Sequence, residues 1–138
     1  MLEVKIFTLY PDLFPGPLDI GIFKKARENK IWNLKVINIR EYSKDNHGTV
    51  DDTPFGGGSG MLLRPDILAS ALDKNIKKGE KIIYLSPRGK KFDQNVARSL
   101  SKEKNLNLIC GHFEGVDQRL LETRNIEEYS LGDFVLSG

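Results

Sequence analysis

The chain has 138 residues, of which 39% are hydrophobic and 29% charged, and a formal net charge of +2. That size suits one soluble domain with a real core, and no apolar run nears the roughly 20 residues of a membrane helix. The charge is too mild to indicate nucleic-acid binding by itself. The opening Met1-Leu2-Glu3-Val4-Lys5 lacks a secretory leader's basic and apolar segments, and the single cysteine, Cys110, excludes an internal disulfide, so a cytoplasmic location is expected.

Leu2 to Leu9 is β-rich and alternating, which predicts a strand. Leu18, Ile22, Phe23 and Ala26 recur at helical spacing and predict a helix over Leu18–Asn29. Leu34–Arg40 reads as a second strand. Glu41 to Gly60 is polar, glycine-rich and aperiodic, a long loop. A helix follows from Pro65, with Leu68, Leu72 and Ile76 every four residues and Gly79 beyond its end. Lys81–Leu85 and Leu106–Cys110 read as strands. Phe92, Val96 and Leu100 mark one helix between them, and Val116, Leu120 and Leu121 mark another before a short strand at Glu128–Ser130. Strands alternate with helices, so the expected class is α/β with a largely parallel sheet flanked by helices. In such sheets ligands bind beyond the carboxyl ends of the strands. That rule points to Ser86–Gly89, Gly111–Gly115 and Leu131–Gly138.

Four segments have the makings of chemistry. In Val50 to Met61, Gly56, Gly57, Gly58 and Gly60 let backbone amides approach a ligand. The P-loop pattern fails, because Met61 and Leu62 stand where Lys and Ser or Thr are needed. Asp51, Asp52, Pro54 and Phe55 argue for a substrate-binding lid over a plain linker, with Ser43–Ser59 expected to be mobile without RNA. Tyr84 to Gly89 leaves a strand and is expected to turn sharply; Ser86 and its neighbours can bind polar atoms of a nucleoside, and an ordinary strand-to-helix turn accounts for it equally well.

In Leu108 to Asp117, Glu114 and Asp117 lie near a helix amino terminus. They can favour its dipole or accept hydrogen bonds from guanine's N1–H and amine. Cys110 reads as a small buried hydrophobe. With only His47 and His112, no metal-ligand spacing exists. The closing Tyr129 to Gly138 is apolar and glycine-punctuated, and ends like a domain cut short. The basic clusters Lys24, Lys25, Arg27; Lys77, Lys78; and Arg88, Lys90, Lys91 read singly as solvated faces.

Five of these stretches together resemble the bacterial tRNA (guanine-N1) methyltransferase family, of the knotted SPOUT type. They are Thr8–Phe14, Val50-Asp51-Asp52 with Pro54–Met61, Ser86–Gly89, Cys110–Asp117 and Leu131–Gly138. They stand in the family's order and span almost the whole chain. The resemblance implies a trefoil knot, an exception to the rule against threading, and bound S-adenosyl-L-methionine. It assigns that cofactor to Tyr84, Leu85, Ser86, Pro87, Gly89, Gly111, Phe113, Gly115, Leu131, Gly132, Asp133, Phe134, Val135, Leu136 and Gly138. Glu114, Asp51, Gly57 and Gly58 are assigned to substrate.

The implied reaction methylates N1 of the guanine 3′-adjacent to the anticodon in certain tRNAs. A sulfonium methyl is a good electrophile, so no metal is expected. A homodimer, tRNA as partner and no membrane association are implied as well. The family's general base is an aspartate beyond the position of Gly138, as is its helical tRNA-gripping domain. The 138 residues alone are therefore expected to be the cofactor-binding domain, inactive on tRNA, with the knot shallow or unformed. Two departures stand out: His112 where arginine is usual, and Arg88 where glutamine is common. The other open reading is a non-catalytic nucleotide- or RNA-binding module that uses the glycine-rich loop.

Overall fold

The computed structural model describes residues 1–43, 51–52, 62–110 and 116–132. β1 (Leu2–Thr8) ends at a 3-10 turn, Pro11–Leu13, where the Tyr10 amide donates to the Thr8 hydroxyl at 3.0 Å. The single helix expected over Leu18–Asn29 is instead divided. A 3-10 turn, Gly16–Asp19, precedes α1 (Gly21–Glu28), because Ile20 is extended and Gly21 sits at φ +62°, a state glycine reaches without a Cβ clash. β2 (Trp32–Asn38) both starts and stops earlier than expected. The Asn38 side chain accepts the Arg40 amide at 3.0 Å and starts a 3-10 turn, Ile39–Tyr42.

Within the expected loop from Glu41 to Gly60, the described residues include β3 (Asp51–Asp52), which pairs antiparallel with β4 (Leu62–Leu63) beyond it. α2 (Pro65–Asn75) carries Pro65 at its start, as the pattern predicts. β5 (Lys81–Lys91) is the largest departure, since the expected strand ends at Leu85. α3 (Gln94–Ser101) is capped by Asp93, whose carboxylate accepts the Val96 amide at 2.9 Å. After β6 (Asn105–Cys110), Asp117 caps α4 (Gln118–Thr123) by accepting the Arg119 amide at 2.8 Å. β7 (Glu127–Ser130) is the last strand among the described residues.

Among the described residues, five strands make one sheet in the order β2-β1-β6-β5-β7, and every pairing in it is parallel. The class is thus the expected α/β. β1 and β6 are neighbours whose outgoing connections run to opposite sides, towards β2 and towards β7. That is a topological switch point, where such sheets open a crevice at their carboxyl edge.

Strand alternation sorts the side chains onto two faces. Phe7, Ile37, Ile82, Tyr84 and Ile109 share one face and form a buried cluster with Ile67, Leu68, Ala71 and Leu72 of α2 and Leu120 and Leu121 of α4. Val4, Leu34, Val36, Leu106 and Leu108 turn to the other face and are only half-buried. Near the amino ends of the strands a polar set ties the layers. Lys5 donates to the Asn75 carbonyl at 2.8 Å and sits 3.5 Å from Glu80, while the fully buried Asn107 donates to Glu80 and to the Lys81 carbonyl, each at 3.0 Å. Buried polar groups held this way fix the strand register as apolar packing alone does not.

Candidate functional site

Three neighbouring strands, β6, β5 and β7, present their carboxyl ends side by side. The middle one does something unusual. Leu85 and Lys90 both pair with Tyr129 of β7, so Ser86, Pro87, Arg88 and Gly89 leave the ladder and return to the same partner. The expected sharp turn towards a helix is therefore an excursion within one long strand. Pro87 lacks an amide proton, so it cannot continue the pairing, and the Arg88 amide donates to the Ser86 hydroxyl at 3.2 Å. The excursion is pressed onto β7. A Cβ added at Gly89 would lie 2.5 Å from the Glu128 carbonyl carbon and 2.5 Å from the Tyr129 nitrogen. Glycine is required there by lack of space.

Burial divides the segment. Tyr84 and Ser86 are buried, while Leu85 is 47% exposed. Leu131, just past β7, is 56% exposed. The β7 end is closed by Ser130: its hydroxyl donates to the Gly132 carbonyl at 2.8 Å, and its carbonyl accepts the Phe92 amide at 2.7 Å. A cleft of about 400 Å³ lies behind the excursion, lined by Arg88, Gly89 and Lys90, by Gln118, Leu121, Glu122 and Asn125, and by Ile126 and Glu128. A larger apolar hollow, about 650 Å³, lies at the opposite, amino end of the strands around Leu2, Phe23 and Trp32. It lies away from the carboxyl ends of the strands, where the smaller cleft is.

The electrostatics fit a binding surface better than a nucleophile. Burial raises the Tyr84 phenol, Glu128 raises it further and Arg88 opposes the rise. Burial also raises the Cys110 thiol, which keeps it protonated and unreactive, as its hydrophobic reading requires. Arg119 hydrogen-bonds the Asp117 carboxylate and holds it low, so this acid is committed to its helix cap. Among the described residues no group of His, Cys, Asp and Glu is placed to hold a metal, and no helix is long and apolar enough to cross a membrane.

A family model described as tRNA (Guanine-1)-methyltransferase TrmD matches residues 2–138. The chain belongs to this family. The protein of Pelagibacter ubique (strain HTCC1062) named tRNA (guanine-N(1)-)-methyltransferase is 69% identical over 138 residues, covering 100% of this chain and 60% of that protein. Proteins of the same name from Wolbachia pipientis wMel and Ehrlichia canis (strain Jake) are 47% and 44% identical, over 99% of this chain and 58% and 59% of theirs. The chain thus spans about three-fifths of the length of these curated relatives.

Of the site residues that the methyltransferase resemblance assigns, the structure brings Tyr84, Leu85, Ser86, Pro87, Gly89, Leu131 and Gly132 to one edge of the sheet. Asp51 is found in the β3–β4 ladder, opposite Leu63. Gly57, Gly58, Gly111, Phe113, Glu114, Gly115, Asp133, Phe134, Val135, Leu136 and Gly138 lie outside the described residues. So do most of Ser43–Ser59, and with them the question of its mobility and of the knot. Sequence reasoning passed over Glu127 and Glu128. Glu127 accepts the Lys81 ammonium at 2.9 Å and the Tyr129 hydroxyl at 2.8 Å. Two adjacent carboxylates opening a short strand beneath a glycine loop were the available signal.

Proposed function

We propose that the protein carrying this chain is an S-adenosyl-L-methionine-dependent methyltransferase acting on N1 of the guanine 3′-adjacent to the anticodon in certain tRNAs. The observation that carries the reading is the Ser86–Gly89 excursion at the sheet's carboxyl edge, within a chain that a tRNA (guanine-1)-methyltransferase family model matches over residues 2–138. The residues there suit the cofactor. Leu85 and Leu131 offer exposed apolar surface for an adenine ring, and the excursion offers the Ser86 hydroxyl and backbone polar groups that the ladder does not use. When bound, the cofactor supplies an electrophilic sulfonium methyl.

In this reading Tyr84, Leu85, Ser86, Pro87 and Gly89 hold one side of the cofactor. Gly111, Phe113 and Gly115 hold a second, and the run from Leu131 to Gly138 a third. Glu114 accepts from the guanine N1–H and amine, orienting the base, and Asp51, Gly57 and Gly58 contact the substrate. Guanine N1 must lose its proton, and the base that takes it is an aspartate in the part of the relatives beyond these 138 residues. Homodimer formation is supported by Leu13, Ile20, Ile22 and Phe23, between 52% and 77% exposed around α1. A cytoplasmic location accords with a tRNA substrate.

Calorimetry with S-adenosylmethionine and with ATP tests the reading, performed on a protein of the relatives' full length that carries this chain. Binding of S-adenosylmethionine, lost in a folded Gly111→Val protein, is expected. Binding of ATP alone would instead favour a nucleotide-binding module built on the glycine-rich loop. Glu114→Gln should weaken methyl transfer while leaving cofactor affinity nearly intact. A Glu114→Gln protein that lost the cofactor but kept its turnover at saturation would overturn the guanine assignment.

A further inference from the structure

Glu128 has a conspicuous local problem. Its Oε2 atom is buried and has no hydrogen-bond partner. Buried carboxylate oxygens without donors are rare, and each needs a reason. Donors are close at hand. Glu128 is the register partner of Tyr84, on the sheet face that α4 covers. Its main chain is the surface on which Gly89 rests. Its side chain shares the cleft behind the excursion with Arg88, and both charges act on the Tyr84 phenol. Arg88 is exposed, and its guanidinium donates no hydrogen bond to another described residue. Among the described residues, an acceptor oxygen without a donor and a guanidinium without an acceptor thus belong to residues lining one cleft.

We propose that Glu128 is a positioning residue for the Ser86–Gly89 excursion: when the cofactor seats on that segment, the buried Oε2 of this half-buried side chain accepts a hydrogen bond from Arg88 and locks the segment against β7. Of the groups lining the cleft, Arg88 is the donor that belongs to the excursion itself, and its planar fork matches a carboxylate bidentately. Lys90 already lies back in the ladder opposite Tyr129, and Gln118 and Asn125 belong to the α4 side and are neutral. The pair acts from behind the segment. Glu128 touches neither cofactor nor guanine, and its effect reaches them through the backbone from Ser86 to Gly89. This role rests on the cofactor reading above.

The test is a double-mutant cycle in a protein of the relatives' full length, with wild type, Glu128→Gln, Arg88→Gln and the double variant. Calorimetry reads S-adenosylmethionine affinity, and steady-state transfer to unmodified tRNA separates KM from kcat. Glu128→Gln keeps the side-chain shape. It is expected to weaken cofactor affinity and raise its KM by about tenfold, the scale of one charge-assisted hydrogen bond. At saturating cofactor, kcat stays near wild type. Arg88→Gln should do the same, and the double variant should be no weaker than the weaker single, since both remove one interaction. A merely structural acid would lower the melting temperature and leave that coupling absent. Additive losses, or a folded Glu128→Gln protein with wild-type KM, would overturn the proposal. Should Glu128→Gln not fold, Arg88→Gln on the exposed excursion decides alone, and a wild-type KM there overturns it. If the wild type itself does not bind S-adenosylmethionine, the cofactor reading fails, and this role fails with it.

Discussion

Single residues set the geometry of the sheet's carboxyl edge. Gly89 is the sharpest case, because its neighbour across the gap is backbone, which cannot rotate away. Gly89→Ala should destabilise the fold by about 1–3 kcal/mol, the usual cost of forcing extra volume into a packed site. Urea unfolding measures it, and unchanged stability would mean that β5 and β7 are further apart than the structure has them. Glu127 makes a pH-dependent contribution. The Lys81 hydrogen bond holds its carboxyl below the ordinary 4.5. Its stabilisation is therefore present above pH 4.5 and lost as pH falls through the lower folded value. The Lys81 ammonium, raised above 10.5 by the same bond, loses its share only as pH rises through that higher value. Glu127→Gln should flatten the acid limb of a stability-against-pH curve, and an unchanged acid limb would show that the pair contributes nothing in solution. The sequence displayed Gly89 as a glycine after a strand. It held no sign that β7 would supply the obstacle, because that contact joins residues 40 positions apart.

At the scale of elements, periodicity carried most of the information. α2 was legible from Leu68, Leu72 and Ile76 behind Pro65, and it forms the centre of the buried cluster. Leu68→Ala should cost about 2–5 kcal/mol by emptying a fully buried position, which thermal or urea unfolding can measure. A cost under 1 kcal/mol would place the core elsewhere. α4 is short and leans on its cap, so Asp117→Ala should cost about 1 kcal/mol through the lost bond to the Arg119 amide. Boundaries failed where one residue overrides a pattern. Gly21 at positive φ splits the first helical run although Leu18, Ile22 and Phe23 keep helical spacing across it. β5 runs past its expected end for the opposite reason. Pro87 and Gly89 are turn-formers by composition, yet the β7 ladder takes the chain back at Lys90. A tertiary pairing thus overrides local turn chemistry.

At the scale of the molecule, the alternation of strands and helices was enough to give an α/β class, and the strand-end rule named Ser86–Gly89, which lies inside β5, and the segments that follow β6 and β7. Strand order was not legible. β6 pairs with both β1 and β5, strands far apart in the chain, and no local pattern encodes that insertion. The match to about three-fifths of each relative bears on activity. The isolated 138 residues should methylate unmodified tRNA at less than a tenth the rate of a full-length relative, since general-base catalysis alone typically contributes ~10²–10⁴-fold. A transfer assay with labelled cofactor, comparing the two, checks this. Comparable rates would place the proton acceptor inside this chain, with Asp51, Asp52, Glu114 and Asp133 as the candidates.

The all-parallel sheet also governs how the chain finds its shape. Leu2 meets Trp32, Glu3 meets Asn105, Lys81 meets Leu106 and Ile83 meets Glu127, so no rung of this sheet is local. There is no hairpin to nucleate it, and the ladder's first bond must close a loop of a whole strand–helix–strand unit. Folding should therefore be slow for a domain of this length, nearer milliseconds to seconds than microseconds. During that interval the apolar stretch 82–85 of β5 and the strand Asn105–Cys110 are without partners. Stopped-flow refolding at increasing protein concentration would show the result as a yield that falls with concentration while the rate of the productive phase stays fixed.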